Sequence, residues 1–475
     1  MAVAGRTHRP VIDHGRCTTC SICLGACPAE MVPEMAREEG SLRGSIYQGV
    51  DRKGAFGSPG AESEYPPCQR ACPLHQDVRG YLGHMAAGRH MEALALIRET
   101  NPLPSVCGYV CHRPCETACI RGVFDEALAI RKLKRFVTGY AGNMTDPPRR
   151  IEPRHGKVAI IGAGPAGLTA AHDLAVHDCS VEVIDSFDEP GGMLAWAIPE
   201  FRLPRKVLRR DIAYIRNMGV RIRTNLRFGH DVSLSELREE GVDAFIVATG
   251  TQRGLGIHGK EADGYDGYVD CLTFLRSYAR HKHLETGTRV LVLGGGNAAV
   301  DSARTAIRLG AKEVKILYRR GPEQMPAHRD EIQAAKRDGV AVEFFSAPVR
   351  VLSSEGAVRG LACVKTEVRE MAGSERPAPI PIPDSEYEME ADMIVCAIGQ
   401  APDPVPVTRG IWGDGGRNRS LRVDPESGIT QMPGIFVAGD FLHGPTTVVE
   451  AMASGRRAAQ AAWTYLSGGS SGSHE

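Results

Sequence analysis

The 475-residue sequence predicts an α/β protein with two Rossmann-like dinucleotide-binding folds, the second inserted in the first, behind an α-helical, cysteine-rich front. From residue 155 to about residue 467, short β-branched runs alternate with Ala-rich helical stretches, which is typical of parallel sheets with crossover helices. Two glycine fingerprints lie in that stretch, whereas ten of the fourteen cysteines precede it.

The composition limits the partners and the location of the protein. Lys plus Arg and Asp plus Glu both number 57, so no overall charge favours a nucleic acid or an anionic membrane. The longest nearly uncharged run, Val158 to Ala171, is shorter than the roughly 20 apolar residues that a membrane-spanning helix needs. The opening residues contain no apolar stretch of signal-peptide length. We therefore expect a cytoplasmic protein with no membrane span and no bound nucleic acid.

The front of the chain carries four closely spaced cysteines followed by Pro28. Their spacing, C-x2-C-x2-C-x3-C-P, is that of bacterial ferredoxins, in which such thiolates bind four-iron clusters. Zinc is an alternative, although zinc sites usually pair two C-x2-C knuckles. A disulfide scaffold is another, although the rest of the chain can build a core without one. The four are Cys17, Cys20, Cys23 and Cys27.

Six further cysteines lie in a stretch that is predicted to be helical, because Val78, Tyr81, Leu82 and Met85 recur at helical spacing. Ten thiolates suffice for two four-iron clusters with two left over, and two clusters are the expected number. The six are Cys68, Cys72, Cys107, Cys111, Cys115 and Cys119.

The first glycine fingerprint, VAIIGAGPAGLTAAHDLA, follows an apolar strand and opens an Ala-rich helix. Gly162 permits a tight turn, Gly164 lets the backbone approach a pyrophosphate and Gly167 lets the helix pack on the strand. Asp185 follows the next strand, 23 residues after Gly162, where a carboxylate accepts hydrogen bonds from an adenosine ribose. This context predicts a dinucleotide whose phosphates lie at the helix N-terminus.

A second unit, VLVLGGGNAAVDSARTAIRLG, repeats the design with Gly294, Gly296 and Ala299. Two nucleotides are therefore expected. The next strand ends in Arg319 and Arg320, 25 and 26 residues after Gly294, where the first unit has an acid. Arginine at this position suits the 2′-phosphate of NADP, so NADPH is expected over NADH. The alternative is that both arginines only cover a solvated loop.

Near its end the chain is predicted to return to the first nucleotide. The segment GIFVAGD reads as a strand that closes on Gly439 and Asp440, and a helix begins near Thr446. The amides at that helix start, beside Thr447, would stabilise the negative charge of a reduced flavin, and Asp440 would bond the ribityl hydroxyls. An ordinary capped helix is the alternative.

Three motifs precede the first fingerprint, namely CPLHQDV, NPLPSVCGYVCHRPCETAC and IRKLKRF, and after GAGPAG the chain continues with PGGML, IPEFRLP, GGGNAAVD, YRRGPEQMPA, AIGQ and AGD. In this order, across about residues 66 to 467, they resemble the small subunit of glutamate synthase. The same module is found in dihydropyrimidine dehydrogenase and in NADH-dependent ferredoxin:NADP oxidoreductase. The resemblance implies FAD in the first fold, NADPH in the second and iron–sulfur clusters in the helical front.

The resemblance also implies individual site residues. Two cysteines, Cys68 and Cys119, would share a cluster with an upstream cysteine pair that is missing from this chain. The other cluster would be held by Cys72, Cys111 and Cys115 with a fourth ligand near Lys134. The implied FAD site comprises Gly162, Gly164, Gly167, Asp185, Gly192, Met193, Leu194, Arg202 and Asp440. The implied NADPH site comprises Gly294, Gly296, Asn297, Ala299, Arg319 and Arg320.

Together these signals divide the chain into domains. The tail, GGSSGSHE, is expected to be disordered. The expected domains are a ferredoxin-like cysteine motif with a linker at 1–65, a helical iron–sulfur domain at 66–150, an FAD-binding domain at 151–285 and 396–467, an NADPH-binding domain at 286–395, and the tail at 468–475.

A nicotinamide moves two electrons as hydride, whereas a four-iron cluster takes one, so a flavin between them is the converter. We expect an NADPH-dependent FAD and iron–sulfur oxidoreductase that passes electrons to a partner subunit or a ferredoxin, with no catalytic acid or base. Reverse flow from ferredoxin to NADP is one alternative, and a scaffold that mainly assembles a complex is another. A thioredoxin-reductase-like disulfide reductase is the third, although no two cysteines after Cys119 lie close in sequence.

Overall fold

The computed structural model describes residues 65–123, 125–142, 153–257, 264–370, 377–403 and 422–468. The chain forms two compact units, Met1–Asp146 and Pro147–Glu475. The cysteine run at 17–27 and the tail after residue 468 lie outside the described residues, so the expectations for both stay predictions.

The first unit is helical over most of its described part, as its spacing predicts. Proline stands in the first turn of three short helices, where the missing N–H costs no hydrogen bond. A longer helix is capped by Asp77, whose Oδ1 accepts a hydrogen bond from the Gly80 amide at 2.8 Å. The helices are α1 (Pro67–Arg70), α2 (Val78–Ala86), α3 (His90–Arg98), α4 (Pro104–Val110), α5 (Pro114–Thr117) and α6 (Ile130–Ala141), with a 3₁₀ turn at Ile120–Val123.

One buried cluster joins the helices of this unit. Leu94 and Ile97 of α3 pack there against Val137 of α6, and none of the three is more than 1% exposed. Cys68 of α1 and Cys115 of α5 belong to the same cluster. The core of the unit therefore fixes the short helices that carry cysteines.

A parallel sheet forms the first nucleotide fold of the second unit. Its elements are β1 (His155–Ile161), α7 (Pro165–Val176), β2 (Cys179–Ile184), α8 (Met193–Trp196), α9 (Arg205–Asn217), β3 (Arg221–Arg223), α10 (Leu234–Glu239), β4 (Ala244–Val247) and β15 (Ile435–Val437). In the described part of the chain the strand order is β15-β4-β1-β2-β3, and all neighbours are parallel. Parallel pairing requires the crossover helices that the alternating sequence predicts.

A second parallel sheet forms the second nucleotide fold. Its elements are β6 (Tyr268–Asp270), α11 (Cys271–His281), β7 (Arg289–Leu293), α12 (Asn297–Arg308), β8 (Glu313–Tyr318), a 3₁₀ turn at Pro322–Gln324, α13 (Arg329–Arg337), β9 (Ala341–Phe344) and β13 (Met393–Cys396). Over the described residues its strand order is β6-β13-β7-β8-β9. The buried faces of α11 and α12 pack on β7 and β8 to form its core.

Two smaller antiparallel sheets complete the described part of this unit. One has three strands, which are paired in the order in which they follow β9 in the chain. The other pairs two short strands of the connections that lead out of the first fold and back to it. The strands are β10 (Ser346–Ser354), β11 (Ala357–Arg369), β12 (Ala378–Glu390), β5 (Arg253–Gly254) and β14 (Gln400–Ala401).

The chain then returns to the first sheet through β15, which lies beside β4. This confirms the prediction that the second fold is inserted in the first. The closing helices are α14 (Asp440–His443) and α15 (Val448–Gly468). Helix α15 packs on α7 so closely that a Cβ on Gly455 would overlap the carbonyl oxygen of Ala166. An ion pair, Arg456 Nε to Asp173 Oδ2 at 2.7 Å, fixes the same contact.

Among the described helices, none combines the length and the apolar character that crossing a bilayer would require.

Candidate nucleotide and iron–sulfur sites

The first glycine turn joins β1 to α7, as its sequence predicts. Gly162 has a φ of +110°, and a Cβ there would overlap the carbonyl oxygen of Ala248. A Cβ on Gly167 would overlap the carbonyl oxygen of Gly162, so helix and strand meet without room for a side chain. At Gly164 the nearest atom to a Cβ is the Cα of Gly192, 4.0 Å away. The turn is therefore tight against protein on two sides and open where a pyrophosphate would lie.

The predicted segment from Gly192 to Leu194 lies at the same turn. A Cβ on Gly192 would be 2.8 Å from the Cα of Gly164. The amide of Gly191 donates to the carbonyl of Ala163 at 2.8 Å. Met193 and the fully buried Leu194 begin α8 immediately afterwards. The structure thus brings this segment to the first glycine turn.

Asp185 lies at the end of β2, but its carboxylate is already engaged with the backbone. Its Oδ2 accepts from the Ala163 amide at 2.6 Å, and its Oδ1 accepts from the Phe187 amide at 2.9 Å. Burial raises the pKa of Asp185, and these two hydrogen bonds oppose the shift. Each carboxylate oxygen has two lone pairs, so a ribose hydroxyl can still be bound. Asp185 therefore holds the glycine turn in shape, and it keeps the lone pairs that the predicted contact with a ribose requires.

The returning segment reaches the start of α7. Gly439 has a φ of +68°, and a Cβ on it would lie 2.8 Å from the Cβ of Ala166. Oδ1 of Asp440 accepts hydrogen bonds from the amide and the hydroxyl of Thr446, at 3.0 and 2.6 Å. Burial raises the pKa of Asp440 to about 6. A partly buried carboxyl group thus stands next to the first glycine turn.

The helix expected near Thr446 begins at Val448, after the one-turn helix α14. The Thr447 hydroxyl accepts from the Glu450 amide at 3.4 Å, and Glu450 Oε2 accepts from the Thr447 amide at 2.8 Å. This reciprocal cap assigns both side chains to the helix start. The amides at the start of α15 have no intrahelical partners, so the start can still attract negative charge.

The second glycine turn repeats this geometry between β7 and α12. Gly294 has a φ of +133°, and a Cβ there would overlap the carbonyl oxygen of Ala397. A Cβ on Gly296 would meet no protein atom within 4 Å. Asn297 Oδ1 accepts from the His328 amide at 3.1 Å, and Ala299 is completely buried. The open side of this turn is again the side that phosphates would occupy.

Arg319 and Arg320 follow β8, as expected, but they differ in environment. Arg320 is half-buried, and its Nε donates to the carbonyl of Pro377 at 2.8 Å. Arg319 is exposed, and its carbonyl accepts from the Thr366 hydroxyl at 2.9 Å. Arg320 thus has a structural contact, whereas the guanidinium of Arg319 is presented to solvent at the edge of the second fold.

Arg202, implied for the FAD site by resemblance, makes its described contacts with the second fold. Its Nη1 lies 2.6 Å from Oδ2 of Asp301 in α12, and its Nε lies 3.3 Å from Oε1 of Glu331 in α13. Asp301 is almost fully buried and needs a cation beside it. Arg202 therefore joins the segment after α8 to the second fold, and the structure does not place it at the first glycine turn.

Most of the described cysteines of the first unit are buried, and three of them interact with one cation. Burial raises the pKa of Cys107 and the pKa of Cys111, and it raises the pKa of Cys115 to about 12. Lys134 opposes each of these shifts. Lys134 is only 9% exposed, and its Nζ donates to Gln76 Oε1 at 2.6 Å. Thiols that are costly to ionise alone, placed around a buried ammonium, suit ligation to iron, which binds them as thiolates.

The ligand sets themselves are not defined by the described residues. No group of three or more His, Cys, Asp or Glu side chains in the described part is arranged to hold a metal ion. Cys72 does interact electrostatically with Cys107, Cys111 and Cys115, so these four lie near one another.

Gln76 is the residue of this site that the sequence did not indicate. It is 1% exposed, and its Nε2 donates to the carbonyl of Ile97 at 2.9 Å and to the Thr100 hydroxyl at 2.8 Å. These acceptors fix the orientation of its amide, so its Oε1 faces Lys134. The two residues are 58 positions apart, and no local motif joins them.

Two family models match the chain. The model for pyridine nucleotide-disulphide oxidoreductase matches residues 156–455. The model for dihydropyrimidine dehydrogenase domain II, 4Fe-4S cluster, matches residues 61–145. The first range covers both nucleotide folds and the second covers the described helical unit, so the predictions of FAD, NADPH and a four-iron cluster are confirmed.

Relatives extend the match along most of the chain. The NADP(+)-dependent formate dehydrogenase subunit beta of Moorella thermoacetica is 40% identical over 457 residues, covering 89% of this chain. This chain spans only 64% of the length of that relative. The glutamate synthase [NADPH] small chain of Halomonas elongata is 36% identical over 422 residues, covering 84% of this chain and 88% of the relative.

Among solved structures, Mycobacterium tuberculosis FprA in complex with NADPH aligns with a TM-score of 0.57 at 19% identity. The alignment covers 67% of this chain and 86% of that chain, and at such identity it supports the fold alone. The predicted fold class and the predicted resemblance are both confirmed by these matches. The chain belongs to the pyridine nucleotide-disulphide oxidoreductase family and is an NAD(P)H-dependent FAD and iron–sulfur oxidoreductase of the glutamate synthase small-chain type.

Proposed function

We propose that this chain accepts reducing equivalents from NADPH and delivers single electrons to a partner protein. The observation that carries the proposal is the pair of glycine turns, which lie within one compact unit. Each turn is tight against protein and open where phosphates would lie. When bound, FAD exchanges two-electron hydride for one-electron steps, and four-iron clusters carry the single electrons.

In this proposal the residues of the chain bind the two nucleotides and orient them. Gly162, Gly164 and Gly167 shape the first turn for the FAD pyrophosphate, and Asp185 holds that turn while it faces the ribose. Gly192, Met193 and Leu194 close it from α8, and Gly439, Asp440 and Thr447 from the returning segment. In the second fold, Gly294, Gly296, Asn297 and Ala299 shape the site for NADPH. We keep Arg202 as a residue that links the two folds rather than one that touches FAD.

The domain layout is part of the proposal. Clusters would lie in the domain at 66–150, with the cysteine motif at 1–65 supplying the ligands that the later cysteines lack. FAD would lie in the domain at 151–285 and 396–467, and NADPH in that at 286–395. Two clusters remain the expected number, since ten cysteines are available.

The electron acceptor is proposed to be a separate subunit or a ferredoxin. The relatives named above are described as a subunit and a small chain, which favours work inside a complex. A chain whose clustered thiols are expected to bind iron suits a reducing compartment such as the cytoplasm. Reverse flow from a ferredoxin to NADP uses the same sites, and its direction depends on the potentials of the partners.

The disulfide-reductase alternative is disfavoured by the later cysteines. Cys271 and Cys396 interact electrostatically, but both are at most 1% exposed. Burial raises the pKa of Cys271 to about 12 and also raises the pKa of Cys396. A redox dithiol needs a thiol that is accessible and that ionises easily. Cys271 and Cys396 are buried, and the pKa of each is raised, so this pair meets neither requirement.

Anaerobic titration of the full chain with NADPH tests the proposal. We expect the flavin absorbance to bleach and an electron paramagnetic resonance signal from a reduced four-iron cluster to appear. Cys111→Ser should lose cluster iron and signal while its flavin still bleaches, whereas Cys179→Ser, a buried cysteine of the other unit, should behave as wild type. Flavin that NADPH cannot reduce, or iron unchanged in Cys111→Ser, would contradict the proposal.

Arg319→Ala is expected to weaken NADPH binding selectively. A charge-assisted hydrogen bond to the 2′-phosphate contributes about 1.5 to 3 kcal/mol, so the KM for NADPH should rise roughly 10- to 100-fold. The KM for NADH should stay the same, because NADH has no 2′-phosphate. Arg350→Ala removes another exposed arginine, in β10, and should change the KM for neither nucleotide. An unchanged KM for NADPH would assign Arg319 to the solvated surface instead, and equal losses with both nucleotides would contradict recognition of the 2′-phosphate.

A further inference from the structure

Tyr81 of α2 is buried without a partner for its hydroxyl. The residue is 0% exposed and belongs to the same buried cluster as Cys68 and Cys115. Among the described residues, its phenolic oxygen has no hydrogen-bond partner. A buried hydroxyl that leaves water without replacing its hydrogen bond is costly, so such a group in a native core calls for an explanation.

Four cysteines interact with this tyrosine. Burial raises the pKa of Tyr81 well above its ordinary value, and Cys115, Cys72, Cys68 and Cys111 raise it further. The four cysteines come from separate segments of the unit, in α1, α5 and the loops beside them. Tyr81 packs in one buried cluster with Cys68 and Cys115, and its hydroxyl, which is protonated at neutral pH as in any tyrosine, is a hydrogen-bond donor beside these cysteines.

The neighbouring polar groups cannot accept this hydrogen bond. The Lys134 ammonium lies 5.7 Å from the centroid of the Tyr81 ring, but an ammonium has no acceptor atom. Lys134 in turn donates to Gln76, whose own amide is fixed by Ile97 and Thr100. A neutral thiol is only a weak acceptor. An iron–sulfur cluster, by contrast, supplies thiolate and sulfide sulfurs that carry negative charge.

We propose that the Tyr81 hydroxyl donates a hydrogen bond to a sulfur of the four-iron cluster held by the surrounding cysteines. This inference rests on the proposed function in one respect, the assignment of a cluster to these cysteines. The hydrogen bond strengthens when the cluster gains an electron, because the sulfur then carries more negative charge. Tyr81 therefore raises the reduction potential of this cluster, and the Lys134 ammonium acts in the same direction.

Tyr81→Phe in the full anaerobically isolated chain tests the inference. Loss of one hydrogen bond should lower the reduced-to-oxidised ratio of the cluster about fivefold at a fixed potential, a shift of about 40 mV to more negative values at 59 mV per tenfold. The potential is read by paramagnetic resonance during redox titration. Tyr140→Phe makes the same change at an exposed position of α6 in the same unit, and should leave the potential unchanged.

The outcomes separate this inference from the proposed function. Iron content that survives in Cys111→Ser removes the cluster from these cysteines and defeats the proposed function first. A normal cluster with an unshifted potential in Tyr81→Phe overturns the role of Tyr81 alone, because a hydroxyl that is truly unpaired can be removed without effect on the cluster.

A second measurement covers the case in which Tyr81→Phe loses iron. Wild-type protein grown with ring-deuterated tyrosine is examined by electron–nuclear double resonance of the reduced cluster, in H2O and in D2O. We expect couplings from tyrosine ring deuterons and from one exchangeable proton beside the cluster. Absence of the ring-deuteron couplings would overturn the inference.

Discussion

A Gly162→Ala chain is expected to lose its FAD. Gly162 has a φ of +110°, a conformation that strains alanine, and its new Cβ would overlap the carbonyl oxygen of Ala248. Ala248 directly follows β4, so neither side can move without disturbing the first sheet. If the distorted turn loses about 3 kcal/mol of binding free energy, FAD affinity falls at least about a hundredfold.

Gly310→Ala is the matched control for this change. Gly310 has a similar φ of +101°, but a Cβ on it would meet nothing within 4 Å. Both variants therefore carry the backbone strain, and only Gly162→Ala adds the collision. The ratio of flavin to protein absorbance after desalting measures the result. Equal flavin retention by the two variants would show that the collision at Ala248 is relieved at little cost.

Arg202→Met is expected to destabilise the second unit by about 3 to 5 kcal/mol, the usual cost of breaking a buried ion pair by removing one partner. The Arg202 and Asp301 side chains are 9% and 5% exposed, and their charged atoms are 2.6 Å apart. Methionine keeps much of the volume but leaves Asp301 without its closest cation. The shared neighbour Glu331 then depends on Arg304, which contacts it at 2.8 Å.

Arg209→Met is the control for the buried pair. Arg209 contacts Glu189 at 2.7 Å, but the arginine is 66% exposed, so its loss should cost no more than about 1 kcal/mol. Urea unfolding followed by tryptophan fluorescence reports on this unit, because all 3 tryptophans of the chain follow residue 147. An unfolding midpoint for Arg202→Met equal to that of Arg209→Met would contradict the assigned role.

The glycine turns were predictable because most of what they require is local. A strand, a turn and a helix N-terminus occupy consecutive residues, and Gly162 and Gly294 meet backbone that the fold itself brings near. The return of the chain through β15 was predictable for a similar reason, since GIFVAGD carries its own strand pattern. The one-turn helix α14 was missed, because four residues give too short a pattern to recognise.

Contacts between distant segments were not predictable. Arg202 and Asp301 are 99 positions apart, and resemblance alone had assigned Arg202 to FAD. Gln76 lies just before α2, and it meets Lys134 of α6 because α2, α3 and α6 share a core. The second role of Asp185, as an acceptor from Ala163, is likewise visible only when the turn has formed. In each case the chemistry depends on packing that no spacing encodes.

The position of β15 has a consequence for the order of events during synthesis. All the described strands of the second sheet leave the ribosome before Ile435–Val437, the strand that lies at one end of the first sheet's described order. Because domains tend to fold as they emerge, the second nucleotide fold can become compact before the last strand of the first fold has been synthesised. We therefore expect flavin capture to be a late step in the maturation of this polypeptide, completed only when β15 and α15 have been synthesised.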